Sequence, residues 1–426
     1  MKKSKLAIFG GPKSFNENIK TYNSIGKEEL KAAINVVKSG KLSSFLGEPS
    51  KEFYGGKFIQ KFESKISKFF GVKHAITVNS WSSGLSCAVG ALNLEPGDEI
   101  ILPTMTMCAC ASAILQWNLI PVFADVDKET FNICPKSIEE KITKKTKAIM
   151  VVDYFGRPVE MKIILKIAKK YNLKTISDTA QAIGSKYNGK YTGTMADIGG
   201  YSLNYHKTIH TGEGGILVTN NSNLALRLKL IRNHAEAVVE KFNVKNISGL
   251  IGRNYRMGEI EAAIGIEQLK KLNYLVKEKQ SWAKQLIIGL DNLKGLTLPK
   301  VPKNMTHSYY AFPMKINNKI TKVGKNKILN ALKKEGVPWI SGELTLIHKL
   351  PVFKRKIAFG KNKFPWKIGK VFNNINYNSK NNCPNAEKIL RENYINIPIS
   401  LLQLNRKKIN KIILAFKKVW NNLDLL

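Results

Sequence analysis

The chain has 426 residues, 43% hydrophobic and 9% aromatic, which excludes a disordered protein and gives room for two packed domains. Its apolar runs fall short of the ~20 residues of a membrane span, and the basic residues 1–11 lack the apolar stretch of a signal peptide. A cytoplasmic protein with no membrane partner is therefore expected. Sixty-nine Lys and Arg against 31 Asp and Glu give a net charge of +38, which raises a nucleic-acid-binding regulator as one reading. The basic residues are spread along amphipathic segments, such as Lys144-Lys145 and Lys169-Lys170, and no zinc finger, RNA-binding aromatic motif or arginine-rich arm accompanies them. No nucleic-acid partner is expected on that ground.

The predicted elements follow in chain order. Helices are expected over 28–39 and 58–70, joined by a Gly- and aromatic-rich stretch, 45–58, suited to a covering loop. Strand and helix then alternate. Strands are expected at 74–79, 99–102 (ended by Pro103), 121–125, 148–153, 174–177, 197–203 and 215–219. Between and after them lie helices at 83–92, 106–117, 138–142, 161–171, 224–233 and 257–272. This alternation implies an α/β layered domain with a mostly parallel sheet, over residues 1–275 with its N-terminal helical segment. Helix 277–293 bridges to a smaller α+β domain, 276–426, with strands 307–316 and 394–398 and helices 325–335 and 406–420. The five cysteines, an odd number with scattered spacing, argue against a disulfide framework. Cys108-Ala109-Cys110 has no second pair, so no metal is expected and the cysteines read as small apolar residues.

Three places carry chemistry. Lys207 lies five residues after Ser202 and just before the turn Gly212-Glu213-Gly214-Gly215. Such a lysine is either a solvated hairpin residue or a desolvated amine able to form a Schiff base with a carbonyl. Asp178 ends a buried strand, as a helix N-cap or as a carboxylate meeting a ligand where strands end. Ser80-Trp81-Ser82-Ser83 stands between a strand and a helix, as a capping turn or as a phosphate-binding helix N-terminus that Ser202 could also reach.

Taken together, these segments resemble the DegT/DnrJ/StrS family, the pyridoxal-phosphate-dependent sugar aminotransferases of fold type I. The resemblance runs from about residue 26 to residue 420. It is carried by the turn at 78–85, Pro96-Gly97-Asp98-Glu99-Ile100-Ile101, the strand at 121–127, Asp178-Thr179-Ala180-Gln181-Ala182, the Ser202-to-Gly215 block, and Gly252 with Asn254, Arg256 and Met257. It implies a fold-type-I transferase that moves an amino group from glutamate or glutamine to a keto-sugar, expected to be nucleotide-linked, with pyridoxal 5'-phosphate as cofactor. Lys207 would bind the cofactor as an imine and shuttle the proton. Asp178 would pair with the pyridine nitrogen, and Gln181 would lie on the ring-hydroxyl side. Ser202, Ser82 and the backbone near Ser80 would hold the phosphate. Asn254 would reach that phosphate from the other subunit of a homodimer. His206, His210 and His234 are candidate substrate contacts.

Three departures from the family pattern stand out. Trp81 puts bulk where the family commonly has glycine, Met107 replaces a ring-stacking aromatic, and the stretch 45–58 is longer than usual. A subset of the family has histidine in place of the lysine and removes a hydroxyl, which makes a sugar dehydratase the alternative. Counting forward from Ser202 and back from Gly212 both place Lys207, not His206, at that position.

Overall fold

A computed structural model describes residues 5–379 and 382–426; the first four residues of the basic N-terminal stretch lie outside it. The larger unit begins with two helices, α1 (Lys27–Lys38) and α2 (Lys57–Phe70), followed by alternating elements. These are β1 (His74–Val78), α3 (Trp81–Ala91), β2 (Glu99–Pro103), α4 (Cys108–Gln116), β3 (Ile120–Ala124), α5 (Pro135–Lys141), β4 (Thr146–Val152), α6 (Met161–Lys170) and β5 (Lys174–Asp178). Two short strands, β6 (Lys186–Tyr187) and β7 (Lys190–Tyr191), come before β8 (Ile198–Ser202), β9 (Gly215–Thr219) and α7 (Ser222–Arg232). Seven of these strands form one sheet in the order β1-β9-β8-β5-β4-β2-β3, parallel except where β9 runs against β8 and β1. Strand burial on both faces explains the near-continuous apolar runs. The expected α/β architecture is therefore observed.

A single helix, α8 (Glu259–Leu290), runs on from this unit. It fuses the two helices expected at 257–272 and 277–293, because nothing between them breaks the helical pattern, and residues 275 and 276 lie inside it. Beyond it come β10 (Leu296–Thr297), β11 (Met305–Thr306), β12 (Phe312–Ile316), α9 (Asn318–Thr321), α10 (Lys325–Lys334), α11 (Pro351–Lys354), the hairpin β13 (Lys367–Ile368) and β14 (Val371–Phe372), α12 (Pro384–Lys388), β15 (Tyr394–Ile397) and α13 (Arg406–Trp420). Strands β10, β12 and β15 make a second, antiparallel sheet packed on α10 and α13. The chain's start joins this second core. Leu6 and Phe15 are buried in it, Phe15 N–H bonds to Glu335 O, and Thr21 pairs with Leu402.

The expected strand over 307–316 is shorter, because residues 307–311 spend their amides elsewhere. Ser308 N–H bonds to Gly156 O and Ser185 Oγ, and Tyr309 N–H to His307 Nδ1. Pro103 closes β2 from within rather than stopping it at residue 102. Among the described residues, no helix is long and apolar enough to cross a membrane.

Candidate active site

The strand ends β4, β5 and β8 and the first turn of α3 converge at the C-terminal edge of the parallel strands, where ligands of open α/β sheets collect. The loop between β8 and β9 carries Lys207. Its closure is backbone-made: Leu203 N–H bonds to Gly214 O, Thr211 N–H to Leu203 O and Lys207 N–H to Asn204 O, each at 2.9 Å. Lys207 Nζ sits 4.7 Å over the ring of Tyr310. Burial pulls its pKa down to about 8, against the opposing pull of the Asp178 charge. The amine is thus held partly desolvated, in the state a nucleophilic lysine needs.

Asp178 closes β5 and is 4% exposed. No helix follows it, so it caps none; its carboxylate is held by side chains and one turn amide. Oδ1 accepts the Trp81 indole N–H at 2.7 Å and Ala180 N–H at 3.0 Å, and Oδ2 accepts the Cys110 thiol at 3.0 Å. Asp153, just past β4, lies behind it and donates its N–H to Asp178 O. Burial pushes the Asp153 carboxyl up to about 7, although it accepts bonds from Val159 N–H and Thr179 Oγ1.

The turn before α3 is the helix's own first turn. Ser80 is the N-cap, its Oγ accepting Ser83 N–H at 3.1 Å, and Ser82 is exposed beside it. Ser202, the last residue of β8, pairs with Gly215, and Gly215 backs onto Ser80 and Trp81 so closely that a Cβ there would come within 2.8 Å of both. A helix N-terminus, Ser82 and Ser202 thus share one corner, with the free amides and hydroxyls a phosphate needs. The Trp81 side chain does not crowd that corner, as its bulk had led one to expect. The indole turns inward and lies against Gly84 and Gly200, neither of which has a Cβ to obstruct it.

Gln181 is fixed by Phe155, whose N–H donates to its Oε1 at 2.7 Å. A cleft of about 120 Å³ opens over the lysine, walled by Tyr22, Tyr205, His206, His210 and Trp339. Tyr22 is braced from behind, its hydroxyl donating to Glu278 Oε2 and its ring 3.7 Å from Lys279 Nζ. Burial, with the Lys207 and His210 charges, lowers His206 to about 4, so it is neutral at pH 7. Burial likewise lowers His210, opposed by Glu29, and its buried Nδ1 has no partner among the described residues.

Three expected residues are not among those lining this cleft. Met107, the N-cap of α4, is 64% exposed. Asn254 is exposed, its Oδ1 accepting Arg256 Nε, on a segment whose Tyr255 O accepts Asn79 N–H. His234 lies against that same segment, since Asn233 bridges Asn254 and His234 N–H bonds to Arg253 O. The loop at 45–58 goes with them: Asn233 Nδ2 donates to Leu46 O and Phe53 O, and Arg256 to Phe45 O. Cys110, Asp153, Tyr310, Tyr22 and Trp339 were missed from sequence. Cys110 read as a small apolar residue, and Tyr310 lay in an expected strand.

A model of the DegT/DnrJ/EryC1/StrS aminotransferase family matches residues 24–367. A GDP-perosamine synthase of Escherichia coli O157:H7 is 41% identical over 256 residues, covering 60% of this chain and 68% of that protein. A Helicobacter pylori UDP-4-amino-4,6-dideoxy-N-acetyl-beta-L-altrosamine transaminase is 32% identical, covering 78% and 84%. Among solved structures, an aminotransferase from Psychrobacter cryohalolentis superposes with a TM-score of 0.81 at 23% identity, over 96% of this chain and all of that one.

Proposed function

The chain belongs to the DegT/DnrJ/EryC1/StrS aminotransferase family, and from that membership we propose a pyridoxal-phosphate-dependent transfer of an amino group from glutamate or glutamine to a nucleotide-linked keto-sugar. The residues present fit that cofactor: a buried carboxylate at Asp178, a part-desolvated amine at Lys207, and the Ser82–Ser202 corner at the head of α3. Pyridoxal phosphate supplies an aldehyde that takes up amines and a ring that takes up electrons. Lys207 Nζ, its pKa lowered to about 8 by burial, would hold that group at its aldehyde carbon through the amine's neutral fraction. Its free amine would be the base that takes the proton from the donor's Cα and the acid that returns one to the sugar carbon. Asp178 holds a proton on the ring nitrogen. Ser82, Ser202 and the α3 amides bind the phosphate, joined by Asn254 of a second subunit in a homodimer. His206, His210 and Tyr22 line the space above Lys207 and exclude water from it.

The sugar class is supported by the two relatives above, named for GDP- and UDP-linked sugars; a cytoplasmic location would go with substrates of that kind. One observation carries the reaction type: a lysine, not a histidine, is the buried group that feels the Asp178 charge, and neighbouring His206 packs between Tyr205 and Tyr310. This favours amine transfer over the dehydratase alternative. The test is Lys207→Ala with a panel of nucleotide-linked keto-sugars and either donor. Loss of sugar-dependent deamination and of the visible band of the lysine-bound cofactor is expected, with the fold intact by circular dichroism. Full turnover in that variant would refute the role of Lys207.

A further inference from the structure

The two oxygens of Asp178 are not equivalent. Oδ1 accepts two N–H groups, the Trp81 indole at 2.7 Å and the Ala180 amide at 3.0 Å. Oδ2 accepts a single thiol, Cys110 Sγ at 3.0 Å. N–H donors to a carboxylate are strong and short, whereas a thiol is a weak donor. Cys110 has an alternative partner in Thr106 Oγ1, 3.2 Å away. Burial and the Asp178 charge raise its pKa well above that of an ordinary thiol, so it remains a protonated, displaceable donor.

The strong side of this arrangement is also the rigid side. The Trp81 indole is 6% exposed and belongs to the main core. A Cβ on Gly84 would come within 2.7 Å of its ring, and one on Gly200 would collide with it. The ring is thus packed from two elements, and its N–H has one direction to point. Because Trp81 is also the first residue of α3, the same residue links the head of the phosphate-binding helix to the carboxylate at the end of β5.

We infer that Trp81 is a positioning residue that clamps Oδ1 of Asp178, leaving Oδ2, with Cys110 giving way, as the oxygen presented to the cofactor's ring nitrogen. This rests on the reading of Asp178 as that nitrogen's partner. With the indole N–H gone, the carboxylate keeps one turn amide and can rotate, and the bond to the ring nitrogen becomes looser.

The test is equilibrium binding of pyridoxal phosphate and of its 1-deaza analogue, which lacks the ring nitrogen, to the full-length apo-protein. Trp81→Phe keeps the bulk and removes the donor. Losing the orientation of one charge-assisted hydrogen bond should weaken pyridoxal phosphate by about tenfold while leaving the analogue's dissociation constant in place. Equal weakening of both ligands, or none for either, would overturn the inference, because a purely structural role for the indole acts on both alike. Cys110→Ala provides a second arm that does not depend on Trp81→Phe folding. Removing the competing donor from Oδ2 should tighten pyridoxal phosphate; unchanged or weaker binding would count against the assignment. Failure of the underlying reading looks different. If the unmutated protein, compared with Asp178→Asn, holds the two ligands without discrimination, then Asp178 is not the partner of the ring nitrogen at all.

Discussion

At the scale of the residue, the site's reactivity is set by where burial leaves each proton. A lysine in water stays charged until about pH 10.4, whereas Lys207 is pulled down to about 8. Its neutral, reactive fraction therefore rises steeply between about pH 7 and 9 and levels off above that. The rate at which apo-protein captures pyridoxal phosphate should follow the same curve, with a midpoint near 8. A rate still climbing in proportion to hydroxide at pH 10 would show an ordinary exposed amine. The same shift has a stability counterpart with a definite sign. The unfolded chain holds the proton more tightly than the folded one, so the charged amine burdens the apo-fold below pH 8, and the burden lifts as pH rises from 8 towards 10.4. Lys207→Met should accordingly raise the apo melting temperature at pH 7 and lose that advantage near pH 10. The lysine and the aspartate were legible because their spacing from Ser202, Gly212 and the strand end is a local matter. Cys110 and Tyr310 were not, since each acquires its role only when distant segments pack against Asp178 and Lys207.

At the scale of the element, α3 and β8 show how one large side chain is absorbed. Ser80 to Ser83 read as a turn preceding a helix, yet the Ser80 hydroxyl caps the helix one residue later, so the polar stretch is the helix itself. Trp81 then faces inward, where Gly84, one turn along, gives it room. Gly84→Ala places a methyl 2.7 Å from the indole and 3.4 Å from Val78, so only the indole objects strongly. Overpacking of this kind costs about 1–3 kcal/mol. In a Trp81→Gly background the clash disappears, and the same alanine should be neutral or stabilising by up to ~1 kcal/mol through helix propensity. Urea unfolding of the two single variants and the double variant measures this coupling. Additive losses would mean that Gly84 is needed for some reason other than the indole. The alternation of strands and helices was readable because each element carries its own period. The break at residues 307–311 was not, because it depends on Ser185 and Gly156 intercepting the amides.

At the scale of the molecule, the cleft joins parts of the chain that no local pattern connects. Tyr22 is brought to Lys207 by backbone pairing between the chain's start and its end, Tyr22 N–H to Leu401 O and Thr21 with Leu402. Asn254 raises the corresponding question between molecules. It is exposed, on a segment that borders Asn79 and hence the head of α3, together with exposed Ile251 and the half-buried His234. This position is compatible with a phosphate contact made within one subunit or across a two-fold axis, and the two cases separate cleanly. Lys207→Ala lacks the amine but keeps Asn254, and Asn254→Ala lacks the amide but keeps Lys207. If Asn254 crosses the axis, a heterodimer of the two variants rebuilds one complete site. Co-refolded equal mixtures should then recover roughly a quarter of wild-type turnover, since random pairing makes about half of the dimers mixed, each with one working site of two. If Asn254 serves its own subunit, the mixed dimer holds one site without the lysine and one without the amide, and mixing adds nothing to the residual rate of Asn254→Ala. Sedimentation of the same samples fixes the dimer independently, so a failure to complement in a proven dimer would assign Asn254 to its own chain.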